Sequence, residues 1–423
     1  MGRSWRSVSG SLAGALRDAR WLHADRGVGY TRLLGAVTLI GAVAWVALAR
    51  GGLDRLGKPL GTDFLSFWAA SRLALEGHAA AVYNPAIHAA AERAAFGGAD
   101  VGYAAFFYPP VYLLICLPLA LLPYMASLPV WLGVTGLAYW RVVRAWLDSR
   151  VGVVAILAFP AVLLTVGHGQ NAFLTSALFG AGALALGKRP GLAGVCFGAL
   201  ICKPHLGILI PLALIAAGQW RAIASAAGTA VVFAAASLLA FGPEAWRGFF
   251  AISPLARASL ETELVGSEKM QSVFAAIRLA GGTVSLGYAA QIVVGLAAAI
   301  AVAAVARRRR SGAAMGATLV CGTLLASPFL LDYDLALAAI PLAWLVSMGL
   351  RDGFAPWEKI TLALAYVLPL VSRVIAMKLG IACGPFVLGA LLIVVARRAW
   401  ATGRIEAPRP GSAPTSVTRG AGL

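Results

Sequence analysis

Long, continuous apolar runs separated by short polar junctions dominate the chain. They fall at approximately 31–49, 108–122, 126–146, 151–166, 172–187, 191–202, 205–219, 222–242, 284–305, 312–328, 335–349, 357–375 and 381–396. Barrel strands would alternate polar and apolar positions over segments of about ten residues, and the runs here do not alternate. A transmembrane helix needs about 20 mostly apolar residues, so the pattern predicts an all-α fold: a polytopic α-helical membrane protein. The run 108–122 opens on Tyr108-Pro109-Pro110, contains Pro118 and is followed by Pro123. It fits a re-entrant or interfacial segment better than a crossing, which leaves about 12 transmembrane helices. Two connections, 51–107 and 243–282, are long enough to fold in their own right. Within the first, Ser71 to His78 and Pro85 to Ala95 mix apolar positions at helical spacing with Arg72, Glu76, Glu92 and Arg93, the mark of amphipathic helices.

Composition agrees with this pattern. Of 423 residues, 60% are apolar and 12% charged, against about half and a quarter in soluble proteins, so too few polar side chains exist to coat a water-soluble surface. The 48 glycines suit close helix packing in lipid. The net charge of +18 resembles a nucleic-acid footprint, but Lys and Arg also accumulate in cytoplasmic loops of membrane proteins. Assigned to sides by that rule, the cytoplasmic segments hold 23 Lys and Arg against the six acids Asp18, Asp25, Asp148, Asp352, Glu358 and Glu406. The external segments hold 12 basic residues and 11 acids. The charge is topogenic, and no nucleic-acid partner is expected.

The expected organisation is a basic cytoplasmic N-terminus (1–30), one transmembrane domain (31–397) with external loops 51–107 and 243–282, and a disordered cytoplasmic tail (398–423) rich in Pro, Gly, Ser, Thr and Arg. Both termini are expected inside a cell membrane. The five cysteines lie in apolar runs without metal-ligand or disulfide spacing and read as packing residues.

Few ionisable residues sit where chemistry is plausible. Asp63 follows the first span beside Phe64, Phe67 and Trp68. It is either a general base, its proton affinity raised by apolar surroundings, or a helix N-cap or solvated loop acid. Lys203-Pro204-His205 separates two short apolar runs, and ionisable groups at such a depth default to a functional role. Gly167-His168-Gly169-Gln170-Asn171 joins an outward to an inward run; its amides either meet a substrate or, for Asn171, cap a helix.

Asp63-Phe64 with Phe67-Trp68-Ala69-Ala70, then Gly77, Tyr83, Tyr108-Pro109-Pro110, Gly169-Gln170-Asn171, Lys203-Pro204, Trp220-Arg221 and Ser327-Pro328, in that order over roughly residues 30–350, resemble glycosyltransferase family 87. The resemblance implies a GT-C architecture and transfer of a sugar from a polyprenyl-phosphate-linked donor to a lipid or polysaccharide acceptor on the external face. It implies mannose as the sugar, Asp63 as catalytic base, and inversion at the anomeric carbon as polyprenyl phosphate leaves. Developing phosphate charge needs cations or oriented donors. Lys203 is the first candidate, its alternative being a snorkelling Lys that satisfies helix ends; His205, Arg257 and Lys269 follow, each with a structural or solvated alternative. His168, Gln170, Asn171 and Tyr108 are candidates for sugar or acceptor contact.

Asp332-Tyr333-Asp334 follows Ser327-Pro328 where relatives often carry a His. Asp332 and Asp334 are candidates for acceptor contact or helix capping. A divalent cation would need a further acid nearby, so no metal and no other cofactor is expected. Two competing classes are a transporter or flippase of lipid-linked saccharides and a non-catalytic scaffold. The first calls for polar residues through the depth of the spans, whereas ionisable residues here gather at one face.

Overall fold

The apolar runs satisfy their backbone groups within helices, and helices make up nearly all of the computed structural model, which describes residues 13–147, 152–262, 265–308 and 312–401. Among the described residues there are isolated β-bridges but no strand. The tail expected to be disordered lies mostly outside the described residues. Arg398 does not: the last helix runs Gly384–Ala401, because Arg398 is drawn into the protein by Glu358 Oε2 at 3.1 Å and by the Gly353 and Met348 carbonyls.

Among the described residues, six helical stretches are long and apolar enough to cross a membrane: Ala24–Ala47, Trp220–Glu261, Val284–Arg308, Asp332–Asp352, Glu358–Leu379 and Gly384–Ala401. Ala24–Ala47 buries no residue in the protein, so its apolar side chains stay uncovered by the rest of the chain. The expected count of about 12 is not reached by helices of full length, because prolines and glycines divide several runs. The 151–166 run is Gly152–Leu157 and Pro160–His168, interrupted before Pro160. The 191–219 stretch is Pro190–Ala199 and Ile210–Ala217, with two single 3-10 turns around Lys203 between them. The 108–122 run forms only Pro110–Cys116 and a turn at Leu119–Leu121. At about 1.5 Å per residue, seven helical residues cover roughly 10 Å, far short of a bilayer.

The connection from 51 to 107 carries the helices Phe64–Leu75 and Pro85–Ala94. The first begins earlier than its charge pattern suggested, since Phe64, Leu65 and Phe67 are buried and extend it inward. The boundary at 243 holds: Gly242 (φ 73°, ψ 171°), in a conformation only glycine adopts readily, breaks the stretch Trp220–Glu261 into two helices joined at a kink. Beyond the kink the stretch packs on the turn Ala79–Tyr83 and on Pro110–Cys116. These pieces share an apolar cluster containing Phe64, Phe67, Tyr83, Phe106, Tyr112, Trp131 and Ala245. It sits beside the larger helical core built around Phe179, Phe197, Leu319, Leu337 and Leu345.

Helix Pro190–Ala199 meets Trp220–Glu261 through small residues. A Cβ on Gly194 would strike the Ala222 carbonyl and one on Gly198 the Ala226 carbonyl, the close backbone approach that a Gly-xxx-Gly spacing permits. All five cysteines are free, with Cys116, Cys202 and Cys321 buried, in keeping with a packing role.

Candidate active site

Four stretches far apart in sequence converge where the two apolar clusters meet. They are the junction Gly61–Asp63 before helix Phe64–Leu75, the end of helix Pro160–His168 with its successors, Lys203, and the turn Asp332–Ala338. Glycine makes the first two meet. Gly169 ends its helix at φ +66°, and a Cβ there would stand 2.5 Å from Phe64 Cβ and 3.3 Å from Gly61 Cα. Asp63 N–H donates to the His168 carbonyl at 3.0 Å. Trp131 donates to the Gly169 carbonyl at 3.1 Å, and Tyr124 OH to those of Leu60 and Gly61 at 2.6 and 3.0 Å.

Asp63 does not cap the helix it precedes; its carboxylate turns into the site. Gln170 Nε2 donates to Oδ2 at 3.0 Å and also to Tyr333 OH at 3.1 Å. Gln170 Oε1 accepts from Tyr108 OH at 3.3 Å and from Asn171 N–H at 2.9 Å. With both donors and both acceptor positions used, the amide is held in one orientation. The other oxygen, Oδ1, receives the Thr62 hydroxyl at 3.3 Å. Thr62 Oγ1 is 2.9 Å from His168 Nδ1. A hydroxyl has one hydrogen; with it on Asp63, Nδ1 carries a proton and donates to Thr62. His168 Nδ1 itself is 3.7 Å from Asp63 Oδ1, with the two side chains 24% and 30% exposed, so both face open space.

Burial pushes the Asp63 proton affinity up, but His168, Gln170 and Thr62 together outweigh it and hold the carboxyl below the usual carboxylate range. The sequence suggested the opposite direction, from the aromatic neighbours alone. His168 and Gln170 from across the fold, with the adjacent Thr62, reverse it.

Lys203 is buried and spoken for. Its Nζ lies 2.5 Å from Asp334 Oδ1, 3.3 Å from Asn171 Oδ1 and 5.3 Å from the centre of the Tyr333 ring. Asn171, like Asp63, caps no helix. Asp334 neutralises Lys203, so this ammonium offers no net charge to a phosphate, and at 3% exposure it is folded into the protein rather than extended from it.

The remaining candidates divide. Asp332 Oδ1 accepts from Tyr333 N–H at 2.9 Å, while Oδ2 is buried with no partner among the described residues. Lys269 is half-buried within electrostatic reach of His168. His205 packs edge-on to Phe329 with Nε2 buried and unpartnered, outside the hydrogen-bonded cluster. Arg257 stands apart too, on an exposed helix face, bound to Glu261 Oε1 at 2.7 Å. Among the described residues no three His, Cys, Asp or Glu side chains converge as metal ligands.

Two members of the cluster were not singled out in the sequence. Thr62 is an ordinary neighbour of an acid. Tyr333 joins Gln170 to Lys203, and its ring also meets His168 edge-on at 5.7 Å; an aromatic flanked by two acids was its available signal.

The family model for glycosyltransferase family 87 matches residues 106–328, more than half of the chain. The matched stretch contains Tyr108, His168, Gln170, Asn171 and Lys203, and ends just before Asp332. No curated protein and no solved structure matches the chain.

Proposed function

The chain belongs to glycosyltransferase family 87 and is a membrane glycosyltransferase, and from that premise we propose that it moves a hexose, mannose by family resemblance, from a polyprenyl-phosphate carrier to a lipid or glycan acceptor at the external face of a cell membrane. Asp63 is the general base. It takes the proton of an acceptor hydroxyl as that oxygen bonds to the anomeric carbon. The bond from that carbon to the phosphate oxygen breaks, its electron pair leaves with polyprenyl phosphate, and configuration inverts.

The observation that carries this reading is the treatment of the two Asp63 oxygens. Thr62 holds one and Gln170 the other, yet the side chain remains 30% exposed, so an ionised carboxylate is fixed in direction while a hydroxyl can still reach it. Fixing a reacting group in this way removes orientational freedom from the barrier. Asn171, His168 and Tyr108 supply the polar groups around a sugar, Gln170 being fully engaged in aiming Asp63, and the Lys203–Asp334 pair holds Asn171 and Tyr333 in place from behind.

The test is to incubate purified protein with a panel of polyprenyl-phosphate sugars and a membrane lipid extract and to identify products by mass. A new glycosylated species that vanishes with Asp63→Asn is expected. Transfer that persists undiminished in that variant overturns the role of Asp63, and movement of an unmodified lipid across the bilayer in place of transfer overturns the activity.

A further inference from the structure

With Lys203 neutralised by Asp334 at 2.5 Å, the leaving phosphate requires positive charge from elsewhere. The other cations on the segments assigned to the external face fall into three groups. Arg72, Arg247 and Arg257 are paired with Glu76, Glu244 and Glu261, and Arg278 is bound to the Gly282 and Glu261 carbonyls. Arg50, Arg55, Lys58, Arg93 and Lys378 are exposed to the surroundings. Lys269 and Arg373 are half-buried and have no hydrogen-bond or ion-pair partner among the described residues.

Arg373 lies in the apolar helix Glu358–Leu379, where an unpaired guanidinium is costly and marks a functional position. That helix packs against both the turn Ser267–Lys269 and the turn Asp332–Ala338, which places Lys269 and Arg373 on elements in mutual contact. Arg373 is within electrostatic reach of Asp332, and Lys269 of His168. Asp332 adds the second observation: a carboxylate 2% exposed whose Oδ2 has no donor, although a cation stands close by. A buried carboxylate oxygen is seldom left unsatisfied. Two cations and one acceptor, none of them engaged, match the head of a sugar phosphodiester, which presents one negative charge and several hydroxyl donors.

We propose that Arg373 and Lys269 grip the phosphate of the lipid-linked donor while Asp332 Oδ2 accepts a hydroxyl of its sugar. The assignment rests on the glycosyltransferase reading and extends it to the donor subsite. Two cations against one carboxylate leave one positive charge, which offsets the phosphodiester and strengthens its hold as the leaving phosphate gains a second negative charge. Arg suits this position because its fork bonds two phosphate oxygens at once.

The test separates phosphate from sugar. Binding of undecaprenyl phosphate to the full chain in detergent, and the KM for the lipid-phosphate sugar, are measured for Arg373→Gln, Arg373→Lys, Lys269→Gln and Asp332→Asn, with Lys378→Gln as an exposed control. Arg373→Gln and Lys269→Gln are expected to weaken undecaprenyl phosphate binding about tenfold or more, as for loss of a charge-assisted hydrogen bond, and to raise donor KM without changing acceptor KM. Arg373→Lys retains part of both. Asp332→Asn raises donor KM but leaves undecaprenyl phosphate binding intact, because that probe carries no sugar. Unchanged phosphate binding in both cation variants, with wild-type transfer present, overturns the inference and leaves the function standing. Wild-type binding of undecaprenyl phosphate without any transfer overturns the function and leaves the anion site standing. If Arg373→Gln does not fold, Lys269→Gln and Arg373→Lys decide.

Discussion

Gln170 Nε2 donates to Asp63 Oδ2 at 3.0 Å, and nothing about the Gln170 amide is free to turn, because Tyr108 OH and Asn171 N–H hold its oxygen. The base is thus aimed by a side chain that does no proton chemistry itself. Gln170→Leu should leave acceptor and donor KM nearly unchanged and lower kcat by about ten- to a hundredfold, in line with the cost of misaligning a reacting group. Steady-state kinetics check this; a KM effect with intact kcat would make Gln170 a binding residue instead.

Asp63→Asn keeps the shape of the carboxylate and, with its amide oxygen toward Gln170 and the Thr62 hydroxyl turned to accept from its NH2, both neighbours, but it cannot take a proton. Removing a general base costs about 10²- to 10⁴-fold in rate. The variant should enter detergent as a folded, monodisperse protein and lose transfer by at least that lower figure in a product assay by mass.

The acid limb of kcat/KM follows from the Asp63 environment. The ionised form is the active one, and its proton affinity is held below the ordinary carboxylate range by His168, Gln170 and Thr62, so activity should persist as pH falls through about 4 and decline only below it. Thr62→Ala removes one of those supports and should move the limb upward. The same sign governs stability: a depressed carboxyl stabilises the folded state above its unfolded value, and that contribution disappears as pH falls through the folded one. Unfolding measured against pH should therefore be flatter on the acid side for Asp63→Asn than for the wild type.

Lys203 and Asp334 test a different property. Either one alone would be a buried, uncompensated charge, a loss of about 3–5 kcal/mol. Lys203→Met should be strongly destabilising in detergent unfolding, and adding Asp334→Leu should restore much of the loss, since replacing both members of a buried pair is often nearly neutral. A double variant as unstable as the sum of the two singles would contradict the pairing.

Gly169→Ala should be more damaging than its single methyl suggests. The position is left-handed and its Cβ would meet Phe64 Cβ at 2.5 Å, so the strand of loop carrying Asp63 must shift. About 1–2 kcal/mol of backbone strain and a loss of activity of order a hundredfold are expected from thermal unfolding and kinetics on the same preparation.

Much of this was legible in the sequence where short-range physics decides. Apolar runs located the helices, and the motif order that resembles the family named Asp63, Gln170, Asn171 and Lys203 for the site, residues the fold then draws together. What escaped depends on contacts made across the fold. Nothing local says that Lys203 spends its charge on Asp334, 131 positions away, or that His168 and Gln170 lower the proton affinity that aromatic neighbours would raise. Arg398 reads as the first residue of a basic tail, yet Glu358 buries it. By contrast, Gly242-Pro243 reads as the end of an apolar run, and the non-helical Gly242 is where the stretch Trp220–Glu261 breaks.

Helices Pro190–Ala199 and Trp220–Glu261 touch backbone to backbone at Gly194 and Gly198, so no rotamer sets the distance between their axes. The contact behaves as a rigid spacer. When a bilayer thins or thickens, helices accommodate by tilting, and these two must tilt as one body. Lys203 follows the first of them, so the ammonium that braces the site keeps its place relative to the part of the second before Gly242 while the membrane around them changes depth.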